Sequence, residues 1–267
     1  MPATPITACD ATTVTLPDGR VVLAFGGCNY LGLANHPRVL RAVIEATTRY
    51  GLSTTASRET TGNAEPHEAL ERELAAFLGV ERTLLVPDGY LANIAACQGA
   101  QAAGCRHAVL DSRAHASMKD AAIAAGLRVS CFDHADADSL AGVLEALRKA
   151  GGRDAHPTEM NSGGDGHPTG ASAVVMTDGV FTVDGEPAPL AALLQTLGPG
   201  DRLLIDDCHG LCVLGSGGRG SLAHANLTDR RVIITSSLAK GLGCAGGIVA
   251  GSAADIAKCS LSTAYIC

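Results

Sequence analysis

The stretch "RTLLVPDGYLANIAACQG" (residues 82–99) runs from a short apolar segment, through a polar turn, into a segment of small apolar residues with helical character. The first part is too short for a helix and is apolar on both faces, as a strand covered on both sides should be. The same kind of run recurs along the chain. It appears as "HAVLD" (107–111), "RVSCFD" (128–133), "AVVMTD" (173–178), "RLLIDD" (202–207), "RVIITS" (231–236) and "GGIVAG" (246–251). Helix-like segments separate most of these runs. In "PHEALERELAAFLG", Leu70, Leu74, Phe77 and Leu78 form one apolar stripe, and Gly79 supplies a stop. "HPRVLRAVIEATTRYG" repeats the scheme, with Pro37 near its start and Gly51 after its end. Strands alternating with helices predict an α/β fold built on a mainly parallel sheet. One segment, 151–172, breaks the alternation. It is rich in Gly, Pro, Ser and Asp, reads as a mobile surface loop, and holds His156 and His167 as solvated side chains.

Composition narrows the function classes. The chain has 267 residues, 46% of them hydrophobic, enough for a sizeable core without disulfides. A formal net charge of −7 argues against a nucleic-acid partner. No apolar run is long enough to span a bilayer, and the first residues lack the basic start and apolar middle of a signal peptide. A cytoplasmic location is expected. The ten cysteines are scattered with no CxxC pair, which predicts reduced and mostly buried thiols. Cys208 and Cys212 flank His209, but that spacing does not match a common structural zinc pattern, so no metal is expected.

Polar residues collect where the apolar runs end. "LLVP" leads into Asp88-Gly89-Tyr90, "AVLD" into Ser112-Arg113-Ala114-His115, and "VVMT" into Asp178-Gly179. "LLI" leads into Asp206-Asp207-Cys208-His209, and "VIITS" into Ser237, with Lys240 following. In open parallel sheets, ligands bind at the carboxyl ends of strands. Asp, Ser and Gly are also favoured there as helix caps and turn formers, so spacing alone leaves both explanations standing. Lys240 has no carboxylate within "TSSLAKGLGCAGG" (235–247) to pair with it. Two stretches, "GLGCAG" (241–246) and "GSGGRG" (215–220), match the GxGxxG pattern. Neither opens a helix after a strand as a dinucleotide site requires.

Taken in order, "CNYLGLANHPRV", "HEALERELAAFLG", "DGYLAN", "DSRAHAS", "TDGVFTVDGEPAPL", "DDCHGLCVLGSGGRGS" and "TSSLAKGLGCAGG" resemble the motifs of the α-oxoamine synthases. These enzymes depend on pyridoxal 5′-phosphate (PLP). The resemblance covers about residues 18 to 267, and its most specific part is the DDxHG run with a lysine 34 residues beyond its first Asp. It implies the fold-type-I, aspartate aminotransferase-like large domain: a mainly parallel seven-stranded sheet with helices on both faces. Residues 1–45 would form an N-terminal segment and 46–267 the PLP-binding domain. The family's C-terminal small domain, with its substrate-gripping arginine, and its N-terminal arginine-bearing helix are expected to be missing from this chain.

The resemblance also implies roles. Lys240 would be the amine that bonds the cofactor and later acts as general base, a task that needs it neutral. Asp206 would hold the protonated pyridine nitrogen, which lets the ring accept the electrons of a carbanion. Asp207 would point to the other face of the strand. His115 would stack on the ring, and His209 would lie near the phenolic oxygen. Thr182 replaces a common serine at that oxygen. Gly89 and Tyr90 would offer backbone N–H donors to the phosphate at a helix start, with Ser237 in place of the usual threonine. Asp178 stands where a glutamate is also common, and Cys28 where an asparagine is usual. The implied reaction is a decarboxylating condensation of a small amino acid with an acyl-CoA thioester, carried out by a homodimer. "DDCHG" leans toward the oxononanoate synthase branch, whereas "TDGVF" also suits the glycine C-acetyltransferase branch. A PLP-dependent aminotransferase, an inactive PLP-binding fragment and a metal hydrolase at Asp206, Asp207 and His209 are the alternatives.

Overall fold

The computed structural model describes residues 4–151 and 172–262. His156, His167 and nearly all of the segment read as a mobile loop lie outside the described residues. The chain opens with a small antiparallel ribbon of β1 (Ala8–Cys9), β2 (Thr13–Thr15) and β3 (Val21–Leu23). Helix α1 (Pro37–Tyr50) follows, and it begins at Pro37 and stops at Gly51 as the sequence indicates. It buries none of its residues, and Leu40, Val43 and Ile44 face outward. Helix α2 (Glu65–Leu78) buries Leu74 and Leu78 and ends at Gly79, whose φ of 71° is the left-handed conformation glycine adopts without strain.

From there strands and helices alternate. They are β4 (Arg82–Val86), α3 (Gly89–Ala102), β5 (His107–Asp111), α4 (Ala116–Ala124), β6 (Arg128–Phe132), α5 (Ala137–Gly151) and β7 (Ala173–Asp178). Helix α6 (Leu190–Thr196), β8 (Arg202–Asp206), the single turn α7 (Ser221–His224), β9 (Val232–Ser237), β10 (Gly247–Gly251) and α8 (Ala253–Cys259) complete the order. Each of the seven apolar runs read from the sequence is one of the strands β4 to β10. They form one seven-stranded sheet in the order β4-β10-β9-β8-β7-β5-β6. Strand β10 is antiparallel to both its neighbours, and the other pairs are parallel.

Alternation along each strand divides the core in two. Leu203 and Ile205 of β8 join Leu140, Leu144, Leu190 and Leu193 beneath α5 and α6. Leu204 points the other way, to Ala92, Ala96, Met118 and Ile256 beneath α3, α4 and α8. The sheet is therefore covered on both faces, which is why its central strands read as unbroken apolar runs. Strand β6 departs from that expectation. It is an edge strand, and Arg128 and Cys131 are exposed. The thiols depart too. Cys97, Cys105, Cys208 and Cys259 are buried, but Cys9, Cys131 and Cys244 are exposed, so burial is not the general state of the cysteines. The exposed ones lie on the N-terminal ribbon, the edge strand and the turn beyond Lys240, where no helix covers the chain.

Strand β4 is the opposite edge, and α2 guards it. Glu71 Oε1 accepts a hydrogen bond from the Leu85 N–H at 2.9 Å and from Arg58 Nη1 at 2.6 Å. A carboxylate thus occupies an edge N–H that would otherwise be open to a foreign strand. Replacing Glu71 by Ala removes this acceptor and leaves half-buried Arg58 without its carboxylate, at a cost of about 2 kcal/mol. Glu71→Gln keeps an acceptor oxygen and should cost about half as much. Urea denaturation of the three proteins checks the ranking.

Candidate functional site

Because β4, β5, β7, β8 and β9 run the same way, their carboxyl ends share one edge of the sheet, and the loops that follow meet there. They enclose a cavity of about 200 Å³. Its lining contains the eight residues to which the resemblance gave a cofactor role, Gly89, Tyr90, His115, Thr182, Asp206, His209, Ser237 and Lys240, but not Cys28 or Asp207. Asp178, Ser117 and Cys208 complete it. The polar strand ends are therefore one constellation as well as a set of caps. His115 is both, since it caps α4 by accepting from the Ser117 N–H.

A buried network fixes the floor. Asp206 ends β8, and its Oδ2 accepts from Asn93 Nδ2 at 2.8 Å. Asn93 lies one turn into α3 and is fully buried. Its second amide hydrogen goes to Ser117 Oγ at 3.0 Å, and its Oδ1 accepts from Thr235 Oγ1 at 2.6 Å. Thr235 stands directly across from Asp206 on β9. Ser117 Oγ in turn lies 2.7 Å from His115 Nδ1. With Asn93 donating to Ser117, the serine hydroxyl donates to Nδ1, and the ring hydrogen of His115 sits on Nε2. The His115 N–H donates to Asp178 Oδ2 at 3.0 Å, which ties α4 to the end of β7.

Asp207 turns to the opposite side, where its Oδ2 accepts from the Ser221 N–H at 3.0 Å. That contact staples the loop carrying His209 to α7. Asp206, Asp207 and His209 therefore do not converge as metal ligands would, and the hydrolase reading fails on geometry. Cys208 Sγ accepts from the Ser237 N–H at 3.0 Å, so its thiol joins two strand ends.

In the cavity's lining, Lys240 Nζ lies 2.6 Å from His209 Nε2. The other ring nitrogen, Nδ1, lies 2.6 Å from the hydroxyl of Tyr30. The phosphate-binding residues predicted from the sequence sit at the start of α3. That helix begins at Gly89, with Asp88 as its cap accepting from the Leu91 N–H. Gly89 and Tyr90 are its first two residues, whose N–H groups have no acceptor within the helix. A side chain at Gly89 would come within 2.9 Å of Ser237 Cβ, so only glycine lets the two backbones approach. Tyr90 and Thr182 are exposed at the rim, and the Tyr90 hydroxyl donates to Asp120.

Sequence reading passed over Tyr30, Asn93, Ser117 and Thr235. Asn93 carried a signal, as an amide between alanine and isoleucine on the apolar part of a helix, since such a residue is buried only with partners. Tyr30 lay within the quoted "CNYLGLANHPRV" motif, but nothing in that stretch pointed to His209.

Charge is crowded here. Burial, with the Asp206 carboxylate nearby, pushes Asp178 up to about 7. Burial also raises Asp207 to about 7, against the pull of hydrogen bonds from Ser221. Burial and the Lys240 charge lower His209 below the ordinary imidazole value, which favours its neutral form.

Residues 20–264 match the model of the family described as aminotransferase class I and II. The chain belongs to that family. This aminotransferase-family chain is 40% identical over 241 residues to 8-amino-7-oxononanoate synthase of Thioalkalivibrio sulfidiphilus, covering 90% of itself and 56% of that protein. It is 38% identical over 237 residues to the enzyme of the same name from Hahella chejuensis, covering 88% of itself and 54% of that protein. It thus spans about half the length of the curated relatives it matches. Among solved structures, a serine palmitoyltransferase from Sphingomonas wittichii superposes with a TM-score of 0.83 at 25% identity, over 99% of this chain and 61% of that one. An 8-amino-7-oxononanoate synthase from Francisella tularensis gives a TM-score of 0.68 at 21% identity, over 89% of this chain and 60% of that one. Both names are those of α-oxoamine synthases, the group whose motifs this sequence resembles, and the fold is the fold-type-I architecture expected.

Two measurements probe the network. Asn93→Ala should cost about 1–3 kcal/mol, because Asp206 and Thr235 lose a buried partner, and urea denaturation reads it directly. Asp207 keeps its proton in the folded chain at pH values where the unfolded chain has lost it. Its contribution is therefore full below the ordinary carboxylate pKa and is lost as pH rises through about 7. Asp207→Asn should accordingly gain stability relative to the wild type between about pH 4 and pH 7. A series of urea midpoints across that range checks the sign.

Proposed function

We propose that the chain is the cofactor-binding domain of a cytoplasmic, homodimeric α-oxoamine synthase. It binds PLP and condenses a small amino acid with an acyl-CoA thioester with loss of carbon dioxide, as an 8-amino-7-oxononanoate synthase does. Residues 46–267 would form that domain and 1–45 its N-terminal segment. The observation that carries the reading is the meeting of the Lys240 amine, the buried Asp206 carboxylate and the open start of α3 in one cavity. The relatives at about 40% identity favour the oxononanoate synthase branch over the glycine C-acetyltransferase branch.

The donor set fits PLP. Gly89 and Tyr90 N–H groups at a helix start, with the Ser237 hydroxyl beside them, suit a phosphate. Asp206 suits a protonated ring nitrogen, because Asn93 and the Cys208 N–H already hold its carboxylate in place. His115 offers a ring face whose orientation Ser117 fixes. Thr182 and His209 suit the phenolic oxygen. When bound, PLP serves as an electron sink for a carbanion.

The chain's own residues then have separate tasks. Lys240 Nζ accepts and returns the substrate proton. His209, neutral through burial, holds the amine by a hydrogen bond without competing for charge. Asp206 holds its carboxyl group on the cavity floor through Asn93. Among the described residues no helix is long and apolar enough to cross a membrane. Leu40, Val43 and Ile44 of α1 and Val21, Leu23 and Phe25 in and beside the ribbon are exposed apolar side chains that a second subunit would cover.

The test begins with PLP added to the purified protein. A visible absorption band should appear, and Lys240→Ala should abolish it. L-alanine should then shift the band, and pimeloyl thioester should release coenzyme A faster than acetyl thioester. A wild-type protein that gives no band overturns the reading.

A further inference from the structure

Tyr30 belongs to the part of the chain least embedded in the body. The nearby ribbon and α1 are largely exposed, and Tyr30 itself is 44% exposed. Yet its hydroxyl reaches His209 Nδ1 at 2.6 Å, and its ring lies 6.1 Å from the imidazole at a tilt of 58°. Across the imidazole, Nε2 is 2.6 Å from Lys240 Nζ. A phenol open to solvent, an imidazole and an amine inside the cavity thus stand in one hydrogen-bonded line.

Both outer members of such a line must pass protons through a middle group that can accept on one side while donating on the other. A neutral imidazole does this through its two nitrogens, and a phenol does it on one oxygen. Both rest neutral here. Burial lowers His209, and burial with a contact from Cys28 raises Tyr30 to about 12. The groups facing the line are Cys28 beside Tyr30, Cys208 and Asp206 at the end of β8, and His115 at the head of α4. An ammonium can only donate, so a charged Lys240 requires Nε2 to accept and Nδ1 to carry the ring hydrogen toward Tyr30. A neutral Lys240 allows the reverse order.

We propose that Tyr30, His209 and Lys240 form a proton-transfer line connecting the Lys240 amine to solvent through the imidazole. The step balances without a further reactant. An N–H bond at Nζ breaks as one at Nε2 forms. The Nδ1–H bond breaks as a new bond to the Tyr30 oxygen forms, and the phenol's original hydrogen passes to water. Lys240 is left neutral with a free electron pair, as an amine must be to attack a carbonyl. The imidazole has exchanged its tautomer, and the phenol is unchanged in charge. The usefulness of the line rests on the proposed function, in which Lys240 is the reacting amine. The tautomer itself does not.

The experiment uses the full chain and Tyr30→Phe, which keeps the ring. Nitrogen-15 spectra of the His209 imidazole are recorded without cofactor, and His209→Gln assigns the signals. The wild type should show one dominant tautomer. Tyr30→Phe should average the two nitrogens. Stopped-flow mixing with PLP then follows the visible band. Tyr30→Phe should slow its growth roughly tenfold, the scale of one lost hydrogen bond, with its final height kept. The solvent deuterium effect on that rate should shrink in the variant. An unchanged tautomer, or an unchanged rate with an unchanged isotope effect, overturns the line. A wild-type protein that forms no band overturns the function proposed above, while the nitrogen-15 spectra still decide whether Tyr30 sets the tautomer.

Discussion

The hydrogen bond from Asn93 to Asp206 holds the cavity in the form described. A carboxylate this deeply buried is costly unless its oxygens are satisfied. Asn93 satisfies Oδ2, the Cys208 N–H satisfies Oδ1, and Thr235 fixes the amide so that it cannot turn away. Three elements therefore lock to one another through side chains: α3, β8 and β9. Ser117 extends the lock to α4 and to His115. Each residue lining the cavity floor is thereby placed by the sheet, whose rigidity comes from close-packed leucines, valines and isoleucines on both faces.

Much of this was legible in the sequence, for a physical reason. A strand covered on both faces must be apolar throughout, so the central strands announce themselves. The residues that end them sit at one edge because the strands run parallel, and a parallel sheet was itself implied by the alternation with helices. What stayed illegible depends on contacts between distant segments. Tyr30 joins the cavity from a stretch that shares few contacts with the sheet, and no local pattern foretells its partner at His209. The exposure of Cys131 follows from β6 being an edge strand, which strand order decides and a single run cannot reveal. Asn93 was the intermediate case, visible as an anomaly but without an address for its hydrogen bonds.

Acidic groups also show how the fold manages like charges at close quarters. Asp178, Asp206 and Asp207 end neighbouring strands, and burial with their mutual repulsion raises Asp178 and Asp207. The site then separates them by direction. Asp206 faces α3 and the cavity, Asp207 faces α7, and Asp178 is tied to the backbone of His115. One carboxylate is left at the cavity, and the other two serve to anchor loops.

The single reversed strand has a consequence for how the molecule opens. Lys240 stands in the turn between β9 and β10, two strands inside the sheet, and that turn is closed by bonds from Leu238 N–H to Gly246 O and from Cys244 N–H to Leu238 O. A turn at a sheet edge can fray alone, whereas this one can unfasten only if β10 leaves both β9 and β4. Lys240 is thus carried on a turn whose two strands are both paired within the sheet. Tyr30, at the other end of its hydrogen-bonded line, rides on a segment that can detach at far smaller cost. The cavity thus joins a turn between two interior strands to a largely exposed N-terminal segment.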